Sequence, residues 1–163
     1  APGCDRTFAA ERWRHKDSEL AACIDDQRQR ARTESGRAKA SGRLLVRGSD
    51  LDYRALDMAK NNIARAGLER VIELRSADAR ALEIPPPGAT LLCNPPYGER
   101  LGGREVVALY RDLGKRWRHF RRCEAHILDG HEAFAQSFGL RWTDALPLTN
   151  GSLPVVLRRY EFG

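Results

Sequence analysis

The residues of this chain that could do chemistry are Asn94, Pro95, Pro96 and Tyr97, which follow the apolar run Thr90-Leu91-Leu92-Cys93. The run predicts a buried strand, so Asn94 should stand at its carboxyl end, where open α/β sheets bind their ligands. An Asn side chain offers a carbonyl acceptor and an amide donor, and two prolines fix φ and remove two backbone N–H groups. This edge should therefore present mainly carbonyl oxygens, which suit a substrate amine.

A planar amine would fit such an edge. Its NH2 group could donate to the Asn94 side chain and to the Pro95 carbonyl, with the nitrogen lone pair directed at an electrophile. Tyr97 would supply a flat face for stacking, and we expect the ring face rather than the hydroxyl to be used. The alternative is that Asn-Pro-Pro is only a rigid turn, because both residue types favour turns for local reasons. The preceding apolar run favours the chemical interpretation.

The composition predicts one soluble, cytoplasmic domain. The 163-residue chain is 42% hydrophobic and 31% charged, which is enough apolar material for a core. No run reaches the roughly 18 apolar residues of a membrane helix, and the start lacks the pattern of a signal peptide. The net charge of +6 favours a polyanionic partner, although a solvated Arg-rich surface would carry the same charge.

The cysteines and histidines do not indicate a metal centre. The four cysteines contain no C-x-x-C pair, and the four histidines form no spaced ligand set. A disulfide framework is also not expected, because the cysteines lie far apart in a chain without a secretion pattern. We predict reduced thiols and no bound metal.

Alternating helix and strand patterns predict an open α/β sheet built from right-handed βαβ units. Helices are predicted for residues 17–34, 52–67, 105–120 and 131–137, and the helix over 105–120 carries an apolar stripe on one face, including Tyr110, that core packing explains. Strands are predicted for residues 44–46, 71–74, 90–93 and 125–128. The first helix should have Asp17 as its N-cap and end in the Ser35-Gly36 and Ser41-Gly42 region, and the second should have Asp52 as its N-cap and Gly67 after its last turn. Asn150-Gly151 between two strand-like runs predicts a β-hairpin.

The motif that begins at Asn94 resembles motif IV of class I S-adenosylmethionine-dependent methyltransferases. With Gly98-Glu99-Arg100-Leu101 it is similar to the THUMP-associated RNA guanine-N2 methyltransferases. Further segments agree with that family in order along the chain: Ala1-Pro2-Gly3, Phe8-Ala9-Ala10-Glu11-Arg12-Trp13, Gly48-Ser49-Asp50-Leu51-Asp52, Ala77-Asp78-Ala79, Leu109-Tyr110-Arg111-Asp112-Leu113-Gly114 and Asn150-Gly151-Ser152-Leu153. Only residues 14–42, an Arg-rich insertion or helix, carry none of the resemblance.

The resemblance implies S-adenosylmethionine as the methyl donor and gives roles to particular residues. Asp50 would accept from both ribose hydroxyls, and Leu51 would lie on the adenine face. Asp78 would accept from the adenine amino group and the Ala79 N–H would reach a ring nitrogen, although Asp78 could instead be a local turn cap. Asn94 would serve both the cofactor side and catalysis, together with Pro95, Pro96 and Tyr97.

The implied reaction is methylation of guanine N2 in 23S ribosomal RNA. Adenine-N6 DNA methyltransferases and glutamine-N5 protein methyltransferases share Asn-Pro-Pro-Tyr and remain alternatives. A non-catalytic RNA-binding remnant is a further alternative.

The implied fold is a class I, Rossmann-like methyltransferase domain: a mostly parallel sheet that ends in an antiparallel hairpin. Relatives carry a first strand and a glycine-rich loop ahead of Ala1-Pro2-Gly3, and this chain has no G-x-G. Residues 1–163 are therefore expected to be a partial catalytic domain that lacks the first strand, and a THUMP domain and first motif are expected in the full-length protein. We accordingly predict a gap in the sheet beside strand 90–93, and weak cofactor binding and no activity for the isolated chain.

Overall fold

A computed structural model describes residues 7, 9–12, 18–41, 46–97 and 103–163 of the protein. The chain divides into two compact units, Ala1–Ala77 and Asp78–Gly163. Its helices are α1 (Ser18–Ser41), α2 (Tyr53–Ala66), α3 (Gly103–Trp117) and α4 (Phe134–Phe138). Its strands are β1 (Val46–Asp50), β2 (Ile72–Ser76), β3 (Thr90–Cys93), β4 (Cys123–Asp129), β5 (Asp144–Asn150) and β6 (Leu153–Phe162). Within the described ranges, no helix is long and apolar enough to cross a membrane, and no cluster of ligating side chains could hold a metal ion.

The first unit contains one βαβ element. Strands β1 and β2 run parallel, and α2 connects them. The Asp52 side chain accepts from the Arg54 N–H at 2.9 Å at the start of α2, and Gly67 ends the helix with a left-handed φ of 61°. Both caps confirm the prediction. Leu56 is the buried residue of the helix, which fits an amphipathic helix with one face on the sheet.

Helix α1 is longer than predicted. It continues past residue 34 and through Ser35 and Gly36 to Ser41, so it ends within the Ser35-Gly36 and Ser41-Gly42 region where its end was predicted. A single glycine costs about 1 kcal/mol in a helix, which good helix formers on both sides can offset. Glu34 and Arg37 also form an ion pair at 2.8 Å across the Ser-Gly pair. The predicted N-cap, Asp17, lies outside the described residues.

The second unit is a four-stranded sheet in the order β3-β4-β6-β5. Strands β3 and β4 are parallel, whereas β6 runs antiparallel to both β4 and β5. Gly151 turns the β5–β6 hairpin with a left-handed φ of 64°. The Asn-Gly signal therefore predicted this hairpin correctly, and with it the antiparallel end of the sheet.

The core of the second unit lies between α3, α4 and one face of the sheet. The predicted apolar stripe on α3 and just beyond it is buried and packs against aromatic residues of α4 and β6. The buried set includes Val106, Tyr110, Leu113, Trp117, Phe120, Phe134, Phe138 and Tyr160. Gly114 lets α3 approach α4, because a Cβ placed there would lie only 1.8 Å from the Phe138 carbonyl oxygen.

The described strands form two separate sheets. Strand β1 pairs with β2, and β3 pairs with β4, and among the described residues no ladder joins β1 or β2 to β3. The prediction that these first two strands do not pair directly with β3 is therefore confirmed for the described residues. The prediction that β3 is buried is wrong, since Leu92 is 82% exposed. Leu91 and Cys93 pack against the core, so Leu92 points to the opposite face of the sheet and is exposed there.

Candidate functional site

The turn after β3 presents Asn94 to solvent. Asn94 follows Cys93, the last residue of the strand, and is exposed, whereas Pro95 is buried and Pro96 and Tyr97 are half-buried. The predicted position of Asn94 at the carboxyl end of the strand is thus confirmed. Within the described part of the chain, the Asn94 amide has no hydrogen-bond partner, so both its donor and its acceptor face outward. Residues 98–102 lie outside the described residues.

The neighbouring thiol of Cys93 is not a nucleophile. Burial raises its pKa to about 11, so it is protonated at neutral pH. Cys93 is therefore not a candidate for the chemistry of this turn.

A buried tyrosine of the core is hydrogen-bonded to the turn. The Tyr110 hydroxyl donates to the Pro96 carbonyl at 2.6 Å, and the Tyr110 side chain is fully buried in the core. Burial, with the Asp129 carboxylate adding to it, raises the pKa of Tyr110 to about 12, so the phenol remains a donor at physiological pH. The contact occupies the Pro96 carbonyl and not the Pro95 carbonyl, which is the backbone acceptor predicted for a substrate amine.

The Tyr97 ring is held by two residues from other strand ends of the same unit. The Asn150 Nδ2 donates to the Tyr97 Oη at 2.7 Å. A Cβ placed on Gly130 would lie 2.6 Å from the Tyr97 Cδ2, so the Gly130 backbone touches the ring. Gly130 follows β4, and Asn150 is the last residue of β5. Both therefore lie at the carboxyl ends of strands, at the same end of the sheet as Asn94.

An ion pair stabilises the end of β4, directly before Gly130. The Asp129 carboxylate, 5% exposed, accepts from Arg158 Nε at 2.9 Å and from the His131 N–H at 3.0 Å. The Arg158 guanidinium also lies 4.4 Å from the centre of the Trp142 ring. The buried carboxylate therefore has both a cationic partner and a backbone N–H donor, as a buried acidic side chain requires.

In the first unit, the predicted cofactor residues occupy the end of β1. Asp50 is the last residue of the strand, and its Oδ1 accepts from the Asp52 N–H at 2.9 Å. Leu51 is 59% exposed. The other carboxylate oxygen of Asp50 is suited to accept a hydrogen bond from a hydroxyl group. The exposed Leu51 side chain is suited to pack on the face of a planar ring. The chemistry of both residues suits the adenosyl group proposed for them.

Asp78 and Ala79 belong to the second unit, where Asp78 acts as a local cap. Its carboxylate accepts from the Arg80 N–H at 2.8 Å and from the Arg80 side chain at 2.5 Å, before a 3₁₀ turn at Ala79–Ala81. The hydrogen bond from the Arg80 side chain lowers the pKa of Asp78. This is the alternative that the sequence left open for Asp78. A contact with an adenine amino group would require Arg80 to release at least one carboxylate oxygen.

Three residues of the site are not predicted from sequence as site residues. Asn150 is predicted only as part of a hairpin, Tyr110 only as part of a core stripe, and Gly130 is not singled out. The signal for Tyr110 is its hydroxyl, because a buried phenol usually finds a hydrogen-bond partner. Asn150 and Gly130 offer no local signal, since their contacts with Tyr97 cross long distances in sequence.

Comparison with known proteins identifies the family that the chain resembles. A family model described as UPF0020, RMKL-like, methyltransferase domain, matches residues 1–159. The ribosomal RNA large subunit methyltransferase K/L of Aliivibrio fischeri is 34% identical over 166 residues, which is 99% of this chain and 23% of that protein. The protein of the same name from Photobacterium profundum is 32% identical, over 98% of this chain and 23% of its own length. The chain therefore spans about a quarter of the length of these relatives.

Solved structures show the same fold. SMU.472, described as a methyltransferase and solved in complex with SAH, has a TM-score of 0.73 and 28% identity, over 99% of this chain and 42% of its own. A protein of Listeria monocytogenes described as an N6-adenine-specific DNA methylase has a TM-score of 0.70 and 27% identity, over 100% of this chain and 40% of its own. The predicted α/β class I methyltransferase fold is confirmed.

Proposed function

The chain belongs to the family of RMKL-like methyltransferase domains, and from that premise we propose that it forms part of an enzyme that methylates guanine N2 in 23S ribosomal RNA. The observation that carries the proposal is the exposed Asn94 amide at the carboxyl end of β3, on a turn whose Pro96 carbonyl is fixed by Tyr110. The 34% identity to a ribosomal RNA methyltransferase supports RNA as the substrate class. The net charge of +6 suits that polyanion.

The proposed chemistry is direct transfer of a methyl group to an exocyclic amine. The lone pair of such an amine is delocalised into the ring, so the site must orient the nitrogen and favour the positive charge that develops on it. The Asn94 carbonyl oxygen and the Pro95 carbonyl accept from the amine, and these bonds strengthen as the charge develops. Tyr97 stacks on a base that has left its helix. Positioning of this kind can supply up to roughly 7–11 kcal/mol of the barrier reduction.

The methyl donor is S-adenosylmethionine, as the family and the SAH-bound structural neighbour imply. It supplies an electrophilic methyl group on a sulfonium. In this proposal Asp50 accepts from the ribose hydroxyls and Leu51 lies on the adenine face. Asp78 and the Ala79 N–H contact the adenine edge once Arg80 moves, and Asn94 lies on the cofactor side as well as at the amine.

We also propose that the free edge of β3 receives a strand from outside these 163 residues. The edge carries Leu92 at 82% exposure, and the relatives are about four times as long as the stretch that matches. The added segment would bring the first motif, and a THUMP domain would precede it in the full-length protein. The isolated chain would then be a partial, inactive catalytic domain.

Incorporation of a tritiated methyl group tests the function. The full-length protein that carries this chain is offered ribosomal RNA lacking its modifications, double-stranded DNA and a release factor, and the labelled product is digested and identified. N2-methylguanosine from the RNA is the expected product. Label in DNA or protein alone would refute the proposal, and label in none of the three would favour an RNA-binding remnant.

Adenine N6 is the second candidate, because a neighbour with a TM-score of 0.70 is described as a methylase of that position. The same digestion separates the two, since N6-methyladenine and N2-methylguanosine differ in chromatographic mobility. If N6-methyladenine were recovered, Asn94 would orient the amine of adenine instead of that of guanine, through the same hydrogen bonds.

A further inference from the structure

We propose that Asn150 and Gly130 set the plane of the Tyr97 ring and that Asn150 thereby acts as a positioning residue for the substrate base. The inference rests on the function proposed above, because it assigns Tyr97 to the stacking surface. It adds the tip of the β5–β6 hairpin to the site.

Gly130 closes one face of the ring. A Cβ at Gly130 would lie 2.6 Å from the Tyr97 Cδ2 and 2.9 Å from both Cγ and Cε2, the two atoms bonded to it. Near-equal distances to both neighbours describe an approach over the ring face, because an approach along the ring edge would leave them much farther away. The Gly130 backbone thus backs this face, and only the opposite face remains for a base.

Asn150 fixes the rotation of the ring. Its Nδ2 donates to the Tyr97 Oη at 2.7 Å, and the two residues are 53 positions apart in sequence. The hairpin does not need this bond, because Asn150 is already paired with Leu153 in the ladder and Gly151 supplies the turn. The bond instead connects the hairpin to the turn that carries Asn94. Since the hydroxyl is held in this way, the expectation that only the ring face of Tyr97 matters is incomplete.

The two contacts together leave the ring little freedom. The orientation of a planar ring is described by a tilt and a rotation. Gly130 limits the tilt, and Asn150 limits the rotation by holding the hydroxyl end of the ring. A base stacked on the open face would be held parallel to a surface that is already ordered, so less freedom is lost when it binds. Loss of the Asn150 contact should therefore weaken substrate binding more than it slows methyl transfer.

The first test compares kinetic constants in the full-length protein with ribosomal RNA as substrate. Asn150→Ala should raise KM about fivefold, the value of one ordinary hydrogen bond, with kcat changed less than twofold. Tyr97→Phe should give the same rise, and the double variant should add nothing further. Ser152→Ala, on the same exposed hairpin tip, is the matched control and should be silent. Equal KM values for the Asn150 and Ser152 variants would overturn the proposal.

The second test uses stability and needs no substrate. Gly130→Ala should lower Tm because the new methyl group would press on the Tyr97 ring. In a Tyr97→Ala background the same substitution should have no effect. An equal loss in both backgrounds would mean that Gly130 is needed for some other contact, and the claimed backing of the ring would be wrong.

A third readout separates this inference from the proposed function. The 19F resonance of 3-fluorotyrosine at position 97, assigned by its loss in Tyr97→Phe, should shift in Asn150→Ala and stay in place in Ser152→Ala. A shift together with no methyl transfer by the wild-type protein would overturn the function while supporting the Asn150 contact. An unmoved resonance in Asn150→Ala would overturn the inference whatever the wild-type activity.

Discussion

The hydroxyl of Tyr110 donates to the carbonyl of Pro96 at 2.6 Å, so the buried face of α3 is hydrogen-bonded directly to the turn that carries Asn94. This turn therefore rests on the hydrophobic core. A bond from a fully buried donor is not exposed to competition from water, which suits a site that must hold its geometry.

Tyr110→Phe tests this support. The substitution keeps the ring in the core but removes the donor to Pro96, and we expect the free energy of unfolding to fall by about 1 kcal/mol. Chemical denaturation measures the loss. Tyr53→Phe is the control, because Tyr53 is 70% exposed and should be silent. Equal stabilities of the two variants would contradict a supporting role for the hydroxyl.

Alkaline pH should destabilise the protein through two buried phenols. Burial raises the pKa of both Tyr110 and Tyr160 to about 12, against about 10 for tyrosine in an unfolded chain. Between these values the folded state binds more protons than the unfolded state, so stability falls as pH rises from about 10 to about 12. Below pH 10 the contribution is fully present. Denaturation curves across this range should show a shallower fall in Tyr110→Phe and Tyr160→Phe than in the wild-type protein.

Two glycine substitutions should have opposite effects. Gly114→Ala would place a methyl group 1.8 Å from the Phe138 carbonyl oxygen, and such overpacking typically costs about 1–3 kcal/mol. Gly36→Ala meets no atom within 4 Å and lies inside α1, so it should stabilise the helix by roughly 0.5–1 kcal/mol. Thermal unfolding of both variants checks the pair. A Gly114 variant as stable as the wild type would disprove the close approach of α3 and α4.

Asn94→Ala should slow the chemical step. If the amide orients the substrate amine, its loss should lower kcat roughly 10²–10³-fold, as for other single preorganised polar contacts. Cofactor affinity should change little. Single-turnover methylation of ribosomal RNA by the full-length protein measures the rate, and wild-type turnover in the variant would refute the role proposed for Asn94.

Cofactor binding should depend on residues outside this chain. Asp50, Leu51 and Asp78 are proposed to contact only the adenosyl half, so the 163-residue chain should bind S-adenosylmethionine far more weakly than the full-length protein. Calorimetry on both proteins checks this, with Asp50→Asn in the longer one as a variant that weakens binding further. Equal affinities for the two proteins would argue that no cofactor-binding segment is missing.

Local patterns predicted most of the architecture. The cap at Asp52, the left-handed residue Gly67 and the turn at Gly151 depend on side chains and backbone preferences within a few residues, so they can be predicted from sequence. The end of β3 before Asn94 was predicted for the same reason. Each of these local sequence signals specifies a single helix, strand or turn and not its contacts with other elements.

The errors arose where distant residues decide the outcome. Leu92 belongs to an apolar run, but its burial depends on whether another element packs on its face of the sheet, which the run cannot specify. The contact between Tyr97 and Asn150 joins two turns 53 residues apart, and neither turn needs the other to form.

The open edge of β3 also bears on how this chain behaves when it is expressed alone. Its sequence, Thr90-Leu91-Leu92-Cys93, contains no charge and no proline, the two devices that usually keep an edge strand from recruiting another chain. At high concentration, copies of the isolated chain are expected to associate through the edge of β3 that has no partner strand among the described residues. Covering the strand would therefore protect the protein from aggregation as well as complete its sheet.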